Sequence, residues 1–190
     1  MTDLLRTDLD IEIGLTSDQE NAYKAFSKWL KSSEVSLPFV LNGYAGSGKT
    51  FLSMRFLRLV EANHLCWTVV APTHKAVGVL RNALNLEGIS PTWYPSTIHR
   101  LLRLRLKRKA DTEVCEKTDQ TEDSLNQLGL VLIDEASMID SNLLEIVLEC
   151  ALIHKTRIVF VGDSAQLPPV GENISPVFKM KRALFCQLNE

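Results

Sequence analysis

Residues 43–50 read GYAGSGKT and match the pattern G-x-x-x-x-G-K-[ST] of loops that bind phosphate groups. The glycines let the backbone bend so that consecutive N–H groups face a phosphate chain, and the following helix adds the positive end of its dipole. We expect Lys49 to neutralise the β- and γ-phosphates of a nucleoside triphosphate and the Thr50 hydroxyl to ligate Mg²⁺. The predicted nucleotide contacts are Gly43, Tyr44, Ala45, Gly46, Ser47, Gly48, Lys49, Thr50 and Phe51. The alternative is a glycine-rich turn with a structural role.

A second element with candidate chemistry is the apolar run 130–133, which leads into Asp134 and Glu135. At the carboxyl end of a strand both carboxylates can approach the nucleotide. We expect Asp134 to hold Mg²⁺ through its water shell and Glu135 to orient or deprotonate the attacking water. Taken alone, an apolar run that ends in Asp-Glu is also compatible with a carboxylate that caps a helix.

A third candidate lies in residues 161–170, which read VGDSAQLPPV. An apolar run enters Gly162-Asp163, and a rigid Leu-Pro-Pro-Val follows Gln166. An amide side chain offers both a donor and an acceptor, so Gln166 can hydrogen-bond a γ-phosphate and respond to its loss. The predicted catalytic residues are therefore Lys49, Glu135 and Gln166.

A regular framework must position these residues, and the hydrophobic pattern predicts one. The apolar runs PFVLN, CWTVVA, LVLID and RIVFVG are typical of buried strands. Amphipathic stretches predict helices at 16–30, 50–62, 75–84 and 142–152. Thr16 and Gln19 would form a capping box at the first of these, and Ser17 and Glu20 offer the same motif one residue later. The alternation predicts an α/β fold with a mainly parallel sheet and helices on both faces.

One stretch interrupts the alternation. Residues 100–109 read RLLRLRLKRK and are dominated by basic side chains, whereas residues 111–123 carry several acidic ones. We predict a small insertion at 101–126, a β-hairpin that projects from the sheet. Its basic arm suits contacts with nucleic-acid phosphates. The alternative is a solvated hairpin whose basic and acidic arms pair with each other.

Several segments, in order along the chain, resemble motifs of superfamily 1 helicases, in particular the 5′-to-3′ DNA helicases of the RecD and Dda type. VGDSAQLPPV resembles the third motif of that family, and LIDEASM (132–138) resembles its acidic motif. LTSDQENA is similar to the adenine-reading segment, with Gln19 in the place of its glutamine. APTHKA (71–76) and STIHRLL (96–102) resemble two motifs that contact DNA.

The resemblance covers about residues 15–190 and implies that they form the first RecA-like motor domain, after an N-terminal arm at 1–14. It implies a three-layer P-loop NTPase fold that binds ATP and Mg²⁺, with Gln19 at the adenine. It also implies backbone contacts with single-stranded DNA at a duplex junction, which position the strand without reading its sequence. The residues assigned to DNA in this way are Thr73, His74, Lys75, Thr97, His99, Arg103 and Arg105.

Local structural roles remain as alternatives for several of these residues. Thr73 can cap the helix that begins at His74, and Gln19 can simply complete its capping box. His99 can be a hydrogen-bonded helix residue. Trp93 and Tyr94 can stack on a base or pack against the protein, and packing is the favoured interpretation.

Composition limits the partners and the compartment. The chain has 190 residues, of which 45% are hydrophobic and 23% charged, which suits one globular domain. Its formal net charge of −2 argues against a generally basic surface but allows a local one. The four cysteines form no C-x-x-C pair, so we expect reduced thiols and no zinc. Reduced thiols suit a cytoplasmic protein, and without an apolar run near 18 residues we expect no membrane contact. We also expect a monomer.

Three functions fit these patterns: a helicase motor domain, a standalone P-loop ATPase or kinase, and a nucleotide-loaded switch that recruits a partner. In full helicases a similar stretch leads into an arginine-containing motif and a second RecA-like domain. Both are missing from these 190 residues. We therefore expect either a fragment or a natural short relative, and a second RecA-like domain in the full-length protein.

Overall fold

The computed structural model describes residues 14–109 and 112–189, and within them one parallel sheet organises the molecule. Its strands are β1 (Phe39–Gly43), β2 (Trp67–Ala71), β3 (Ser96–Thr97), β6 (Leu130–Ile133), β7 (Arg157–Gly162) and β8 (Leu184–Leu188). The strand order is β3-β2-β6-β7-β1-β8, and each neighbouring pair is parallel. A separate antiparallel pair forms a hairpin of β4 (Arg105–Lys109) and β5 (Thr112–Glu116).

Helices connect the parallel strands and cover both faces of the sheet. They are α1 (Ser17–Leu30), α2 (Lys49–Ala62), α3 (His74–Glu87), α4 (Ile98–Leu101) and α5 (Ser141–His154). Short 3-10 helices span Glu122–Leu125, Ala136–Met138 and Pro176–Lys179. This arrangement confirms the predicted three-layer RecA-like fold with a mainly parallel sheet and a small hairpin.

Capping hydrogen bonds to threonine side chains explain where two of the helices begin. The Thr16 hydroxyl accepts a hydrogen bond from the Gln19 N–H, and the Gln19 side chain accepts one from the Thr16 N–H. This capping box, rather than the one offered by Ser17 and Glu20, starts α1. Thr73 caps α3 with a single hydrogen bond, which its hydroxyl accepts from the Ala76 N–H.

Two apolar cores lie on opposite faces of the sheet because strand side chains alternate in direction. Phe39 and Leu41 face the core shared with α1, α2 and α3, whereas Val40 faces the core shared with α5. Phe26 of α1 and Phe56 of α2 stack with ring centroids 4.0 Å apart. Such aromatic pairs contribute about 0.5–1.5 kcal/mol beyond the area that they bury. The strands that carry the candidate site are therefore held firmly from both sides.

Two strands and the limits of several helices differ from the sequence prediction. The four expected strands are present, but β3 and β8 extend the sheet at both edges. Helices α2, α3 and α5 are longer than predicted, by one to three residues at one end or at both ends. Residues 1–13 of the predicted arm lie outside the described residues. Within the described ranges, no helix is long and apolar enough to cross a membrane.

Candidate nucleotide-binding site

The carboxyl ends of three adjacent strands bring the predicted catalytic segments to one edge of the sheet. Strand β7 lies between β1 and β6, with Asn42 paired to Gly162 and Ile133 paired to Phe160. The phosphate-binding loop follows β1, the acidic pair follows β6, and the Gln166 loop follows β7. Because neighbouring strands are about 4.8 Å apart, all three segments are within reach of one nucleotide.

The glycines of the loop 43–50 are required by its backbone and by close contacts. Gly46 and Gly48 have φ of 85° and 79°, a left-handed conformation that side chains with a Cβ rarely adopt. A Cβ on Gly43 would lie 2.6 Å from the Ser47 Oγ, and one on Gly48 would lie 2.4 Å from the Gln19 Nε2. Glycine at these positions therefore lets the loop adopt this backbone without strain and without displacing Ser47 or Gln19.

Gln19 braces this loop from the first helix. Its Nε2 donates to the Ser47 carbonyl oxygen at 3.1 Å, and its Oε1 accepts from the Thr16 N–H at 3.2 Å. The side chain is 6% exposed. The structure thus places Gln19 against the phosphate-binding loop with protein partners for both amide atoms, and its role as an adenine contact stays a prediction.

The Lys49 side chain folds back onto the phosphate-binding loop. Its Nζ donates to the carbonyl oxygens of Gly43 and Tyr44, each at 2.7 Å. Thr50 and Phe51 occupy the exposed first turn of α2, and Tyr44 is also exposed. The Ser47 Oγ is buried without a hydrogen-bond partner among the described residues. A cradle of glycines with a lysine and an unsatisfied hydroxyl fits a bound polyphosphate.

The acidic pair combines burial with an unusual backbone conformation. Burial raises the pKa of Asp134 to about 6, against the opposing effects of a hydrogen bond from the Glu135 N–H and the charge of Lys49. Glu135 has a φ of 55° and precedes the 3-10 helix at 136–138. A non-glycine residue in this conformation costs on the order of 1–2 kcal/mol. Among the described residues its carboxylate makes no capping bond to that helix, which disfavours the helix-cap alternative.

These carboxylates suit a magnesium ion that is also held by phosphate. In the described ranges no group of three or more His, Cys, Asp or Glu side chains is placed to hold a metal. Mg²⁺ in nucleotide sites is typically bound by one or two carboxylates together with phosphate oxygens and water. Asp134 and the Thr50 hydroxyl therefore fit Mg²⁺ bound together with a nucleotide.

The Gln166 loop is held by its own backbone and by the segment after Glu135. Asp163, which is 5% exposed, accepts from the Ala165 N–H at its Oδ1 and from the Gln166 N–H at its carbonyl oxygen. The Gln166 Oε1 accepts from the Ser137 hydroxyl at 3.4 Å. Gln166 itself is exposed at the sheet edge, where its amide can face a ligand. Sequence analysis did not identify Asp163 as the residue that shapes this loop.

The residues assigned to DNA by resemblance fall into two groups. Thr73 and Thr97 cap α3 and α4, and the His99 Nε2 lies 3.1 Å from the Cys115 Sγ of the hairpin. These three side chains thus have structural roles. For Thr73 and His99, these are the roles that the sequence analysis gave as alternatives. Four others are exposed, namely His74, Lys75, Arg103 and Arg105.

A residue that sequence analysis missed entirely is Asn42, directly before the phosphate-binding loop. Its amide forms hydrogen bonds with Ser164 and Gln187, which lie in two other segments of the chain. A polar residue at the end of an otherwise apolar run is the signal that could have drawn attention to it.

Comparisons with known proteins agree with this fold. The chain is 33% identical over 155 residues to an uncharacterized protein of Acanthamoeba polyphaga mimivirus, covering 74% of this chain and 31% of that protein. It is 31% identical over 144 residues to the RecBCD enzyme subunit RecD of Buchnera aphidicola subsp. Schizaphis graminum, covering 68% of this chain and 23% of that protein. It therefore spans less than a third of the length of either relative.

Solved helicase structures share the fold. Pif1 from Bacteroides sp in complex with ADP-AlF4 gives a TM-score of 0.61 at 21% identity, over 94% of this chain and 43% of that chain. Pif1 from Candida albicans gives a TM-score of 0.61 at 21% identity, over 94% of this chain and 40% of that chain. The predicted resemblance to helicases of the RecD type is confirmed.

The fold and the loop together define a P-loop NTPase domain of RecA-like architecture. The chain belongs to the AAA domain family, whose model matches residues 29–172.

Proposed function

We propose that this chain is the nucleotide-binding motor domain of an ATP-dependent 5′-to-3′ DNA helicase. The observation that carries the proposal is the convergence of Lys49, Glu135 and Gln166 on one edge of a RecA-like sheet. The similarity to RecD and to Pif1, one structure of which is described as bound to single-stranded DNA, supports the same class of activity.

Each side chain of the site has a distinct task in this proposal. Lys49 neutralises the β- and γ-phosphates, and the backbone N–H groups of the loop hold them in place. Asp134 and Thr50 would hold Mg²⁺, which would supply positive charge at the transferring phosphoryl group. Glu135 orients or deprotonates the attacking water, and the Gln166 amide contacts the γ-phosphate. Gln19 contacts the adenine or, through Ser47, fixes the loop that holds the phosphates.

The proposed DNA path runs over the exposed residues that follow β2 and β3. His74 and Lys75 lie at the start of α3, where side chains and backbone N–H groups suit phosphate contacts. Arg103 and Arg105 extend this basic surface to the hairpin, which would stand at a duplex junction. Within the hairpin Lys107 forms an ion pair with Glu116 at 2.8 Å, so part of its basic arm is paired internally.

The proposed domain comprises residues 15–190, with an insertion at about 101–126. The chain covers 43% and 40% of the two Pif1 chains, which supports a second RecA-like domain in a longer parent protein. A facing arginine in phosphoryl-transfer sites contributes about 10³–10⁵ in rate. The 190-residue chain is therefore expected to bind ATP with Mg²⁺ but not to separate DNA strands by itself.

Calorimetric titration of the purified chain with ATP, ADP and Mg²⁺ tests the nucleotide site. Lys49→Ala should abolish binding, because it removes the charge that faces the phosphates. Lys24→Ala is the matched control, since that exposed lysine forms an ion pair with Glu20 on α1. Equal affinities for ATP in the parent and Lys49→Ala would contradict the site.

The motor assignment is tested by ATP hydrolysis in the longer parent protein with and without an oligo(dT) strand. A helicase motor should hydrolyse ATP faster when single-stranded DNA is bound. Hydrolysis that is unaffected by the strand would instead indicate a standalone ATPase, and nucleotide binding without hydrolysis would indicate a switch. Strand separation by the isolated 190-residue chain would contradict the need for a second domain.

A further inference from the structure

Three distant segments meet at the side chain of Asn42, immediately before the phosphate-binding loop. The Asn42 Nδ2 donates to the Ser164 Oγ at 2.9 Å and to the Gln187 Oε1 at 2.7 Å. The Asn42 Oδ1 accepts from the Ser164 N–H at 2.9 Å. These contacts join the end of β1 to the Gln166 loop and to the end of β8.

The chemistry of these contacts suits asparagine in particular. A primary amide carries two N–H donors and a carbonyl acceptor on one rigid plane. Both donors of Asn42 and one of its two acceptor sites are used, so its amide is committed to the protein. A carboxylate of the same shape could not donate, and an apolar side chain would leave Ser164 and Gln187 without their bonds.

The segment 187–189 is fastened to the phosphate-binding loop at further points. A Cβ on Gly43 would lie 3.0 Å from the Leu188 Cβ, so β8 packs directly on the first residue of the loop. The Asn189 N–H and Nδ2 both donate to the Asp18 Oδ2 at 3.0 Å. Asp18 precedes Gln19, whose Nε2 holds the Ser47 carbonyl. The segment thus contacts supports on both sides of the loop.

We propose that Asn42 is a positioning residue for recognition of the γ-phosphate. It holds the Gln166 loop and the segment 187–189 in fixed places relative to the loop that binds the phosphates. Gln166 lies two residues after Ser164 and is anchored on its other side by Ser137. Releasing Ser164 removes one of the side-chain contacts that hold this loop in place. The inference rests on the proposed nucleotide site and adds a residue that favours the binding of ATP over that of ADP.

The distinguishing measurement is the ratio of two dissociation constants for the 190-residue chain with Mg²⁺. One is for ADP, and the other is for a slowly hydrolysed ATP analogue such as AMP-PNP. ADP has no γ-phosphate, so its affinity should be insensitive to the position of Gln166. In Asn42→Ala the analogue should bind about tenfold more weakly, equivalent to ~1.4 kcal/mol. ADP affinity should stay within about twofold of the parent.

A matched control is Asn142→Ala, because the Asn142 Nδ2 donates to the Cys115 carbonyl oxygen in the hairpin rather than to the Gln166 loop or the segment 187–189. It should leave both dissociation constants unchanged. Ser164→Ala and Gln187→Ala each remove one partner of Asn42 and should lower analogue affinity by a smaller factor. These two variants keep the proposal testable even where Asn42→Ala does not fold.

A double variant separates positioning from general support of the site. If Asn42 acts through Gln166, then Asn42→Ala should add little to the loss already caused by Gln166→Ala. The proposal is overturned if ADP and analogue affinities fall in parallel, or if Ser164→Ala and Gln187→Ala change neither. A parent chain that binds neither ligand would overturn the proposed nucleotide site itself, which is a different result.

Discussion

Two glycines of the phosphate-binding loop share a left-handed backbone but differ in what surrounds them. Gly46 has open space where a Cβ would stand, whereas the corresponding position on Gly48 is 2.4 Å from the Gln19 Nε2. Gly46 is therefore restricted by its backbone, and Gly48 by its backbone and by the amide that braces the loop. At the scale of single residues, the site depends as much on what supports the loop as on the side chains that face the ligand.

Gly48→Ala should weaken ADP binding more than tenfold in calorimetric titration. The added methyl group must displace Gln19, which would release the Ser47 carbonyl and disturb the loop. Gly171→Ala is the matched control, since Gly171 has a φ of 84° with nothing within 4 Å of its Cβ position. It should cost about 1–2 kcal/mol of unfolding free energy from backbone strain and leave nucleotide affinity unchanged. Equal nucleotide affinities in the two variants would contradict the role of Gln19.

Asp134→Asn should remove most of the effect of Mg²⁺ on nucleotide affinity. The substitution keeps the size of the side chain and removes the charge that attracts the cation. The measurement is the ADP dissociation constant with Mg²⁺ and with EDTA, in the parent and the variant. Asp123→Asn, at an exposed acidic residue on the 3-10 helix 122–125, is the control. A full response to Mg²⁺ in Asp134→Asn would remove this residue from the metal site.

The candidate site illustrates which residues a sequence can reveal. The pattern GYAGSGKT is enough to predict Lys49 and Thr50 as site residues, because their spacing is local to one loop. The network of Asn42 could not be found in this way, since Ser164 and Gln187 are distant along the chain and meet it only through strand order. The left-handed conformation of Glu135 was equally hidden, because nothing in its neighbours requires a positive φ.

At the scale of secondary-structure elements, the hairpin is an attachment rather than a part of the main sheet. Cys115 of the hairpin contacts His99 of α4, and the Cys115 carbonyl oxygen accepts a hydrogen bond from Asn142 of α5. Lys117, just after β5, forms an ion pair with Glu149 on α5. The hairpin is therefore fixed at its base to both neighbouring helices, and His99 is one of the contacts that set its direction.

Because of His99, the folded state should be less stable in acid than at neutral pH. Burial lowers the pKa of His99 from its usual value near 6.5, against the opposing charge of Asp140. The folded state then binds fewer protons than the unfolded state, so the stabilisation is present above about pH 6.5 and is lost as pH falls below it. Denaturant unfolding between pH 8 and 5 should show a smaller decline in His99→Gln than in the parent. His74→Gln, at an exposed position, should follow the parent, and identical profiles for all three would contradict the burial of His99.

The elements that sequence analysis missed are those with little local signal. Strand β3 has two residues, and its pairing with Val70 and Ala71 is supplied by β2. Strand β8 reads LFCQL, and its exposure alternates as an edge strand rather than a buried one. Strand formation in such segments depends on the neighbour that completes the hydrogen bonds, so propensity alone does not predict it.

At the scale of the whole molecule, stability and binding depend on different regions. The two apolar cores stabilise the fold, and one edge of the sheet carries the candidate site. The apolar side chains of both cores lie on the faces of the sheet, whereas the candidate site lies at the ends of the strands. Ligand binding can therefore add to the stability of the fold without repacking its interior.

ADP with Mg²⁺ should raise the thermal unfolding temperature of the chain. A ligand at about 100 times its dissociation constant stabilises the folded state by ~2.7 kcal/mol. For a domain of this size, that corresponds to an increase of roughly 5–11 °C. Differential scanning calorimetry would measure it, with Lys49→Ala expected to show little increase and Lys24→Ala a full one. A full increase in Lys49→Ala would place the ligand elsewhere.

The position of β1 in the sheet also has a consequence for biosynthesis. Its two neighbours are β7 and β8, the last strands of the described residues, although β1 is the first strand among them. Pairings between such distant segments slow folding, because a long loop must close before the contacts form. During synthesis on the ribosome, β1, which ends at Gly43, has no neighbouring strand of this sheet until β7 at Arg157–Gly162 has been made. Until then its apolar residues depend on α1 and α2 or on chaperones for protection, and the nucleotide site is among the last parts of the domain to form.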